Sequence, residues 1–553
     1  MHSSRPKENS VHFPVDRRPG LWIRPELLIG LTALVALPII IAWIQYGLFG
    51  LPAVTDPVRT FSGSSSSGFP LWLRTAHYIS FVLTLLLIRS GLSILADHPR
   101  LYRDRDCTPN SEWIRFTPLK VPTDRLWTAK DDARYISPLW SLPGYRHTVG
   151  VARHWHFLSV LFWVLTGVIY VVLLFVQGHW ARLVPTYWGI LPESWNIFVH
   201  YATFHLPAEP DGFYAYQALQ QLAYFSVVFV MAPLSILSGL AMSPALDGRF
   251  SWYPRLFGGR QGARSLHFLL MVGFSVFLVI HVSLVIATGF VRNMNHIVMG
   301  NDTSSATGWI LGLIGIAAAL AVLFAAHWVS WHRPRALQLA ARRTVGALTL
   351  RTLDPLTPST EFSRDDISPH FWSNGKLPTS EEWQTLLAED FQGFRLRVSG
   401  LVDHPVELSL GEIIALGQEN HITLHHCIQG WSGVAEWGGL SMSALSELVR
   451  PQPEAKVMVF HSFGEGLYGG EYYETLSLRD ALHPQCLLAY EMNGERLGAN
   501  HGAPLRLRAE NQLGYKMIKW ISSIEFVASE KEVGQGFGGA NEDHEYFDLV
   551  PNI

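Results

Sequence analysis

The 553-residue chain is 48% hydrophobic with a positive mean hydropathy, too apolar for a wholly soluble protein, so membrane segments are expected. A formal charge of -3, with the basic residues spread loop by loop and not pooled in one patch, excludes a nucleic-acid surface. Three cysteines, Cys107, Cys427 and Cys486, are too few and too scattered for a disulfide framework and point to a mostly reduced compartment.

In chain order, six apolar stretches near 25–49, 71–95, 153–177, 217–242, 264–290 and 308–330 are each long enough to cross a bilayer as a helix. The first is too long for a cleavable signal and lacks a small-residue cleavage site. Arg17 and Arg18 ahead of it hint at a twin-arginine signal but read more simply as a topology anchor. The loops on one side of the spans hold 22 Lys and Arg residues, those on the other only Arg59, Arg182 and Arg292. Positive charge is retained in the cytoplasm, so both termini, and the whole stretch after the sixth span, are expected there.

Histidines at membrane depth are costly and mark function. The candidates are His77, His154, His156, His267, His281 and His327. One such histidine is ordinarily a hydrogen-bonded core residue. His267 and His281, however, lie 14 positions apart on one helix, within roughly 40° of the same face and about 21 Å apart, one in each leaflet. A haem iron held by each wants a second axial imidazole from another helix. Topology offers His77 to His281 at the outer face, and His156 or His154 to His267 at the inner face.

The segments "RTAHYISFVLTLLLIRSGLSI", "RHWHFLSVLFWVLTGVIY", "QQLAYFSVVFVMAPLSILSGLAM" and "RSLHFLLMVGFSVFLVIHVSLVI" resemble, in order, the four core helices of the di-haem cytochrome b subunits of nickel-iron hydrogenases and formate dehydrogenases. The resemblance covers about 71–290. It implies two b-type haems, favours His156 over His154, makes the first and sixth spans additions to the core, and gives His327 no haem role.

Residues 336–394 read as a linker between a transmembrane unit (25–335, after a tail at 1–24) and a soluble unit (395–553). There the pattern turns to short strands such as "FRLRVSGLV", "ITLHHC", "KVMVFHSF" and "LLAYEMNG", punctuated by Gly and Pro, as in a mixed α+β domain. Cys427, behind His425 and His426, invites a zinc reading, but paired CxxC or HxxxH spacings are missing. "FRLRVSGLVDHPVELSL", "HHCIQGWSGVAEWGG" and "YEMNGERLGANHGAPLRLRAENQLGYKMIKWISSIEF" are similar, in order, to the molybdopterin-binding domain of the sulfite oxidase superfamily, and most to the catalytic subunit of bacterial methionine sulfoxide reductases.

That resemblance implies that Cys427 gives its thiolate to molybdenum, and a soft thiolate suits a metal already held by the sulfurs of a pterin cofactor. It implies further that Arg506 and Lys516 grip the pterin phosphate, with His501 and Ser462 at cofactor positions. His425 and His426 could hydrogen-bond the cofactor, shuttle a proton or simply be structural. Trp431 and Trp437 read as packing beneath a pocket, and Cys107 and Cys486 as spare thiols. No arginine cluster marks a sulfite pocket.

The expectation is a multi-pass protein of a bacterial-type inner membrane: a six-helix transmembrane domain followed by an α+β molybdopterin domain in the cytoplasm. It would pass electrons between a molybdopterin centre and quinone or quinol through two b haems, and transfer an oxygen atom on a small S-oxide or N-oxide. A sulfite-type dehydrogenase that reduces quinone, and a non-catalytic molybdopterin-like module on a cytochrome anchor, are the alternatives. The partners expected are the lipid bilayer and small molecules, no nucleic acid, with a homo-oligomer left open.

Overall fold

The computed structural model describes residues 19–54, 68–122, 125–142, 149–206, 213, 215–356, 362–466 and 469–553; Arg17 and Arg18 lie outside them. Among the described residues, six helices are long and apolar enough to cross a membrane: Pro25–Phe49, Leu71–Asp97, Val149–Val176, Ala218–Ala241, Gly259–Ala287 and Ala306–His332. The second packs along the third and the fourth along the fifth, while the first rests mainly on a short helix, Ile190–Ala202, between the third and fourth. In the fourth, Ser226–Met231 forms a wider π turn just ahead of Pro233, whose missing N–H breaks the regular i to i−4 ladder. The third and fifth helices begin four and five residues earlier than hydropathy suggests. There Arg153 and Arg260 are held by the soluble half and Arg264 by the carbonyls of His98 and Arg100, so these turns stay helical.

Between the second and third spans the chain does not merely carry topological charge. Strands β1 (Trp22–Ile23), β2 (Arg100–Tyr102) and β3 (Glu112–Arg115) form a small antiparallel sheet in the order β1-β3-β2. Arg100, fully buried, bonds Asp132 through Nε at 2.8 Å and Glu112 at 2.6 Å. A buried charge needs such paired partners.

Among its described residues the soluble half has ten strands: β4 (Arg395–Gly400), β5 (Val406–Ser409), β6 (Glu419–His426), β7 (Ser432–Ser441), β8 (Val457–Glu465), β9 (Glu471–Ser477), β10 (Cys486–Met492), β11 (Glu495–Arg496), β12 (Arg506–Ala509) and β13 (Ile521–Val527). One sheet runs β11-β10-β7-β6, with β12 also on β10; the other runs β5-β4-β13-β8-β9. Among the described residues only β4 and β13 pair in parallel. Leu396, Val398, Trp437, Phe460, Leu488 and Ile524 are buried in their common core. The protein is thus multi-domain, membrane helices followed by an α+β unit. The stretch read as linker is partly absorbed into that unit: Ser368 N bonds Val434 O at 3.0 Å, and Trp372 and Trp383 are buried.

The soluble half sits on the end of the bundle where the second and sixth spans finish and the third and fifth begin. Arg335, just past the sixth, donates to Glu542 O and Asp543 O, both at 2.8 Å, and Arg153 of the third reaches Asp548 at 3.4 Å.

Candidate active site and histidine pairs

Two imidazoles facing one metal, each nitrogen about 2 Å from it and each ring centre roughly 1 Å further back, stand about 6 Å apart centre to centre. His77 and His281 have ring centroids 6.2 Å apart, and His156 and His267 also 6.2 Å. His156 Nδ1 meets Ser90 Oγ at 3.0 Å, His267 Nδ1 meets Ser235 O and Ser238 Oγ at 3.1 Å, and His281 Nδ1 meets the Tyr224 hydroxyl at 3.4 Å. Such bonds orient each ring and leave Nε2 for a metal. Glycine flanks the inner pair: a Cβ on Gly91 would lie 3.8 Å from His156 Cε1, and one on Gly239 3.6 Å from His267 Cε1. Both pairs therefore fit one iron each. His154 points elsewhere, its Nδ1 3.4 Å from Asp548 Oδ1. His327 has no ring contact with any of the four.

Cys427 occupies the tight turn between β6 and β7, where its own N–H bonds Trp431 O at 3.1 Å. The side chain is only 4% exposed, walled by Tyr102, Cys107, Trp127, Trp372 and Trp431. Burial pushes the thiol up to about 12, which leaves it inert as a free nucleophile and makes a bound metal cation the natural means of ionising it. Cys107 is no surface thiol: it is buried, and Ser432 N–H of the same turn points at its sulfur at 3.5 Å. Cys486 is buried too, beneath Asn511. His425 stacks near Trp431, with centroids 5.0 Å apart, and meets Arg508 at 3.2 Å; His426 faces Asp247 at 3.6 Å. Burial first, then Arg508 for His425 and Arg260 for His426, hold both rings well below the usual histidine range.

Arg506 is 4% exposed, lies over the Trp437 ring at 4.6 Å and donates to His501 O at 2.9 Å. Its Nε has no partner, and no carboxylate stands within ion-pair reach among the described residues. His501 lies edge-on to Phe371, and burial, Arg506 and Lys519 bring it down to about 4. Lys516 does not join this group. Its ammonium is consumed by Glu474 at 2.8 Å, Glu542 at 2.7 Å and Gly538 O at 2.7 Å. The cation beside Arg506 is Lys519, whose Nζ bonds Asn500 O at 2.8 Å and is held well below the usual lysine range by burial and then by Arg506. Ser462 is likewise a support: its hydroxyl donates to Lys519 O at 2.7 Å and accepts from Gly464 N–H at 2.9 Å. Gly502, at φ 116°, allows the arrangement, because a Cβ there would stand 3.0 Å from Arg506 Cβ and 3.2 Å from Lys519 Cβ. Two cations without a carboxylate, one buried with an orphaned N–H, suit a phosphate. The residues present fit a pterin with an anionic tail, with Lys519 in the place expected of Lys516.

Residues 68–300 match the family described as prokaryotic cytochrome b561, and residues 384–534 the family described as oxidoreductase molybdopterin binding domain. YedZ1 of Azospira oryzae, named provisionally as a protein-methionine-sulfoxide reductase subunit, is 36% identical over 135 residues, which are 24% of this chain and 49% of that protein. MsrP of Campylobacter jejuni, named as a protein-methionine-sulfoxide reductase catalytic subunit, is 28% identical over 206 residues, 35% of this chain and 69% of that protein. The chain thus spans about half the length of the first relative. Sulfane dehydrogenase SoxCD from Paracoccus pantotrophus aligns at 20% identity with a TM-score of 0.23, over 26% of this chain and 42% of that one, too slight a likeness to carry an argument.

Proposed function

Because the chain is a multi-pass membrane oxidoreductase that joins a cytochrome b561-type domain to a molybdopterin-binding domain, we propose that it reduces a small S-oxide with electrons drawn from a membrane quinol. In balance, the S-oxide takes up two protons and two electrons, its sulfur–oxygen bond breaks, and the sulfide and one water leave. The electrons come from a quinol that departs as quinone and two protons. Bound molybdenum-pterin supplies two-electron oxygen-atom transfer, and bound haem supplies one-electron exchange. Cys427 would hold the molybdenum, Arg506 and Lys519 the pterin phosphate, His156 with His267 an inner haem and His77 with His281 an outer one.

The observation that carries this reading is that the Cys427 turn rests on the first turn of the helix bearing His267 and His281. Arg260 donates to Cys427 O at 3.5 Å, and His267 lies seven residues, about 10 Å, further along the same axis. Quinol exchange at the opposite end finds support in unsatisfied donors near the outer pair. Among the described residues, Gln217, 3% exposed, has neither end of its amide partnered, and buried Trp72 Nε1 is unpartnered as well. Tyr216, next to Gln217, lies 4.9 Å from Tyr224, whose hydroxyl meets His281. The soluble half sits on the side of the basic loops, which supports the cytoplasm as its compartment.

The test is haem oxidation under anaerobic conditions. Full-length protein reduced with duroquinol is mixed with methionine sulfoxide, dimethyl sulfoxide or trimethylamine N-oxide, and the b-type absorbance should return to the oxidised form. Silence with every acceptor, together with haem reduction by sulfite, would favour the dehydrogenase direction. Silence with both sets of substrates would favour the non-catalytic module.

A further inference from the structure

The molybdopterin half does not merely rest on the membrane half; the fifth span reaches into the turn that carries Cys427. Arg260, 8% exposed, donates from Nε to Met242 O at 3.1 Å, from one terminal nitrogen to Trp431 O at 3.2 Å and from the other to Cys427 O at 3.5 Å. One planar guanidinium thus ties the end of the fourth span to both sides of the turn, a task a single ammonium point cannot perform. Gln261, 1% exposed, donates to Gly430 O at 3.0 Å. Arg264, 9% exposed, donates to Arg100 O at 2.7 Å and His98 O at 2.6 Å, and so holds the wall beside the turn. Gly430, at φ 109°, fits beneath it; an added Cβ would stand 3.4 Å from the Arg264 guanidinium.

Neither arginine is in ion-pair contact with a carboxylate among the described residues. Of the charged groups around them, Arg153 is paired with Asp548, Lys130 with Glu545, Asp247 faces His426, and Asp97, at the end of the second span, faces Gln429 of the same turn. The helices bearing His77, His267 and His281 therefore both end on the Cys427 turn.

We infer that Arg260 and Arg264 are positioning residues that lock the Cys427 turn to the helix of His267, fixing the separation of the two redox centres, and that their buried positive charge raises the reduction potential of the inner haem. This rests on the proposed roles of Cys427 and of the two histidine pairs. Arg264 is three residues, less than one turn, from His267, whereas His281 is a further 14 residues away. A cation in a low-dielectric setting favours the reduced, less positive iron at the near site and barely acts on the far one.

The experiment uses full-length Arg260→Met, Arg260→Lys, Gln261→Leu and Arg264→Gln in nanodiscs. In Arg260→Met, duroquinol-driven reduction of dimethyl sulfoxide should fall about tenfold further than reduction driven by a viologen dye, with partial recovery in Arg260→Lys. In protein produced without molybdenum, amide exchange across 427–432 should quicken in Arg260→Met and in Gln261→Leu. Redox titration of Arg264→Gln should show a downward shift confined to the inner haem. Equal losses with both electron donors, unchanged exchange, or an inner potential that stays put would each overturn the inference. Should Arg260→Met fail to keep its haems, the exchange result in Gln261→Leu decides. If wild-type protein reduces no S-oxide, the proposed reaction fails, while exchange and potentials still judge the clamp.

Discussion

Replacing Lys516 by methionine separates the two lysines of the "GYKMIK" stretch. Lys516 is 3% exposed and bonds two carboxylates, Glu474 and Glu542, that are also buried. Burial and the neighbouring Glu542 hold the Glu474 carboxyl above the usual range, burial raises Glu542, and the two carboxylates raise Lys516. Removing the ammonium leaves two acids without their cation, and breaking a buried pair in this way costs about 3–5 kcal/mol, roughly 10 °C in the unfolding temperature of a unit this size. The sign with pH follows from the raised carboxyls. Their neutral forms are the ones the fold accepts, and Glu474 is held up to about 8, so the variant's deficit is small below that value and grows as pH rises through it. The raised Lys516 itself contributes across this window and is lost only in strong alkali. Thermal unfolding of the full chain followed by tryptophan fluorescence at pH 6 and pH 9 gives the result. Lys519→Met should instead lose molybdenum and pterin on purification and keep the unfolding temperature of wild-type protein produced without the cofactor. A Lys516→Met protein of normal stability that lacks the cofactor would refute this reasoning and return Lys516 to the phosphate.

Each of His267→Ala and His281→Ala should remove about half of the b-type absorbance, the first abolishing the inner haem and the second the outer; full absorbance in His281→Ala would contradict the pairing. Cys427→Ser should stop haem oxidation by S-oxides while the haem spectrum is preserved, since the donors of both pairs lie on other segments. A reporter active only outside the membrane, fused after Ile553, should stay silent, and a cytoplasmic reporter should work; the reverse would move the soluble half to the other compartment.

What the sequence determined by itself is local. Six spans follow from runs of apolar residues, and the 14-residue interval between His267 and His281 follows from helix geometry, because period and rise are properties of one segment. The strands around Cys427 and the order of its motifs were legible for the same reason. What only the tertiary structure decided is which of several chemically equal residues meets which partner. His154 and His156 differ by two positions, yet one turns to Asp548 and the other to His267. Lys516 and Lys519 differ by three, yet one is consumed by Glu474 and Glu542 while the other stands beside Arg506. Arg260 counts in the sequence as one more basic residue at a membrane end, and its bonds to Cys427 and Trp431 cross 167 and 171 positions. No hydropathy or spacing rule reaches that far: a buried polar group must find a partner, but which partner is set by how whole helices and sheets pack.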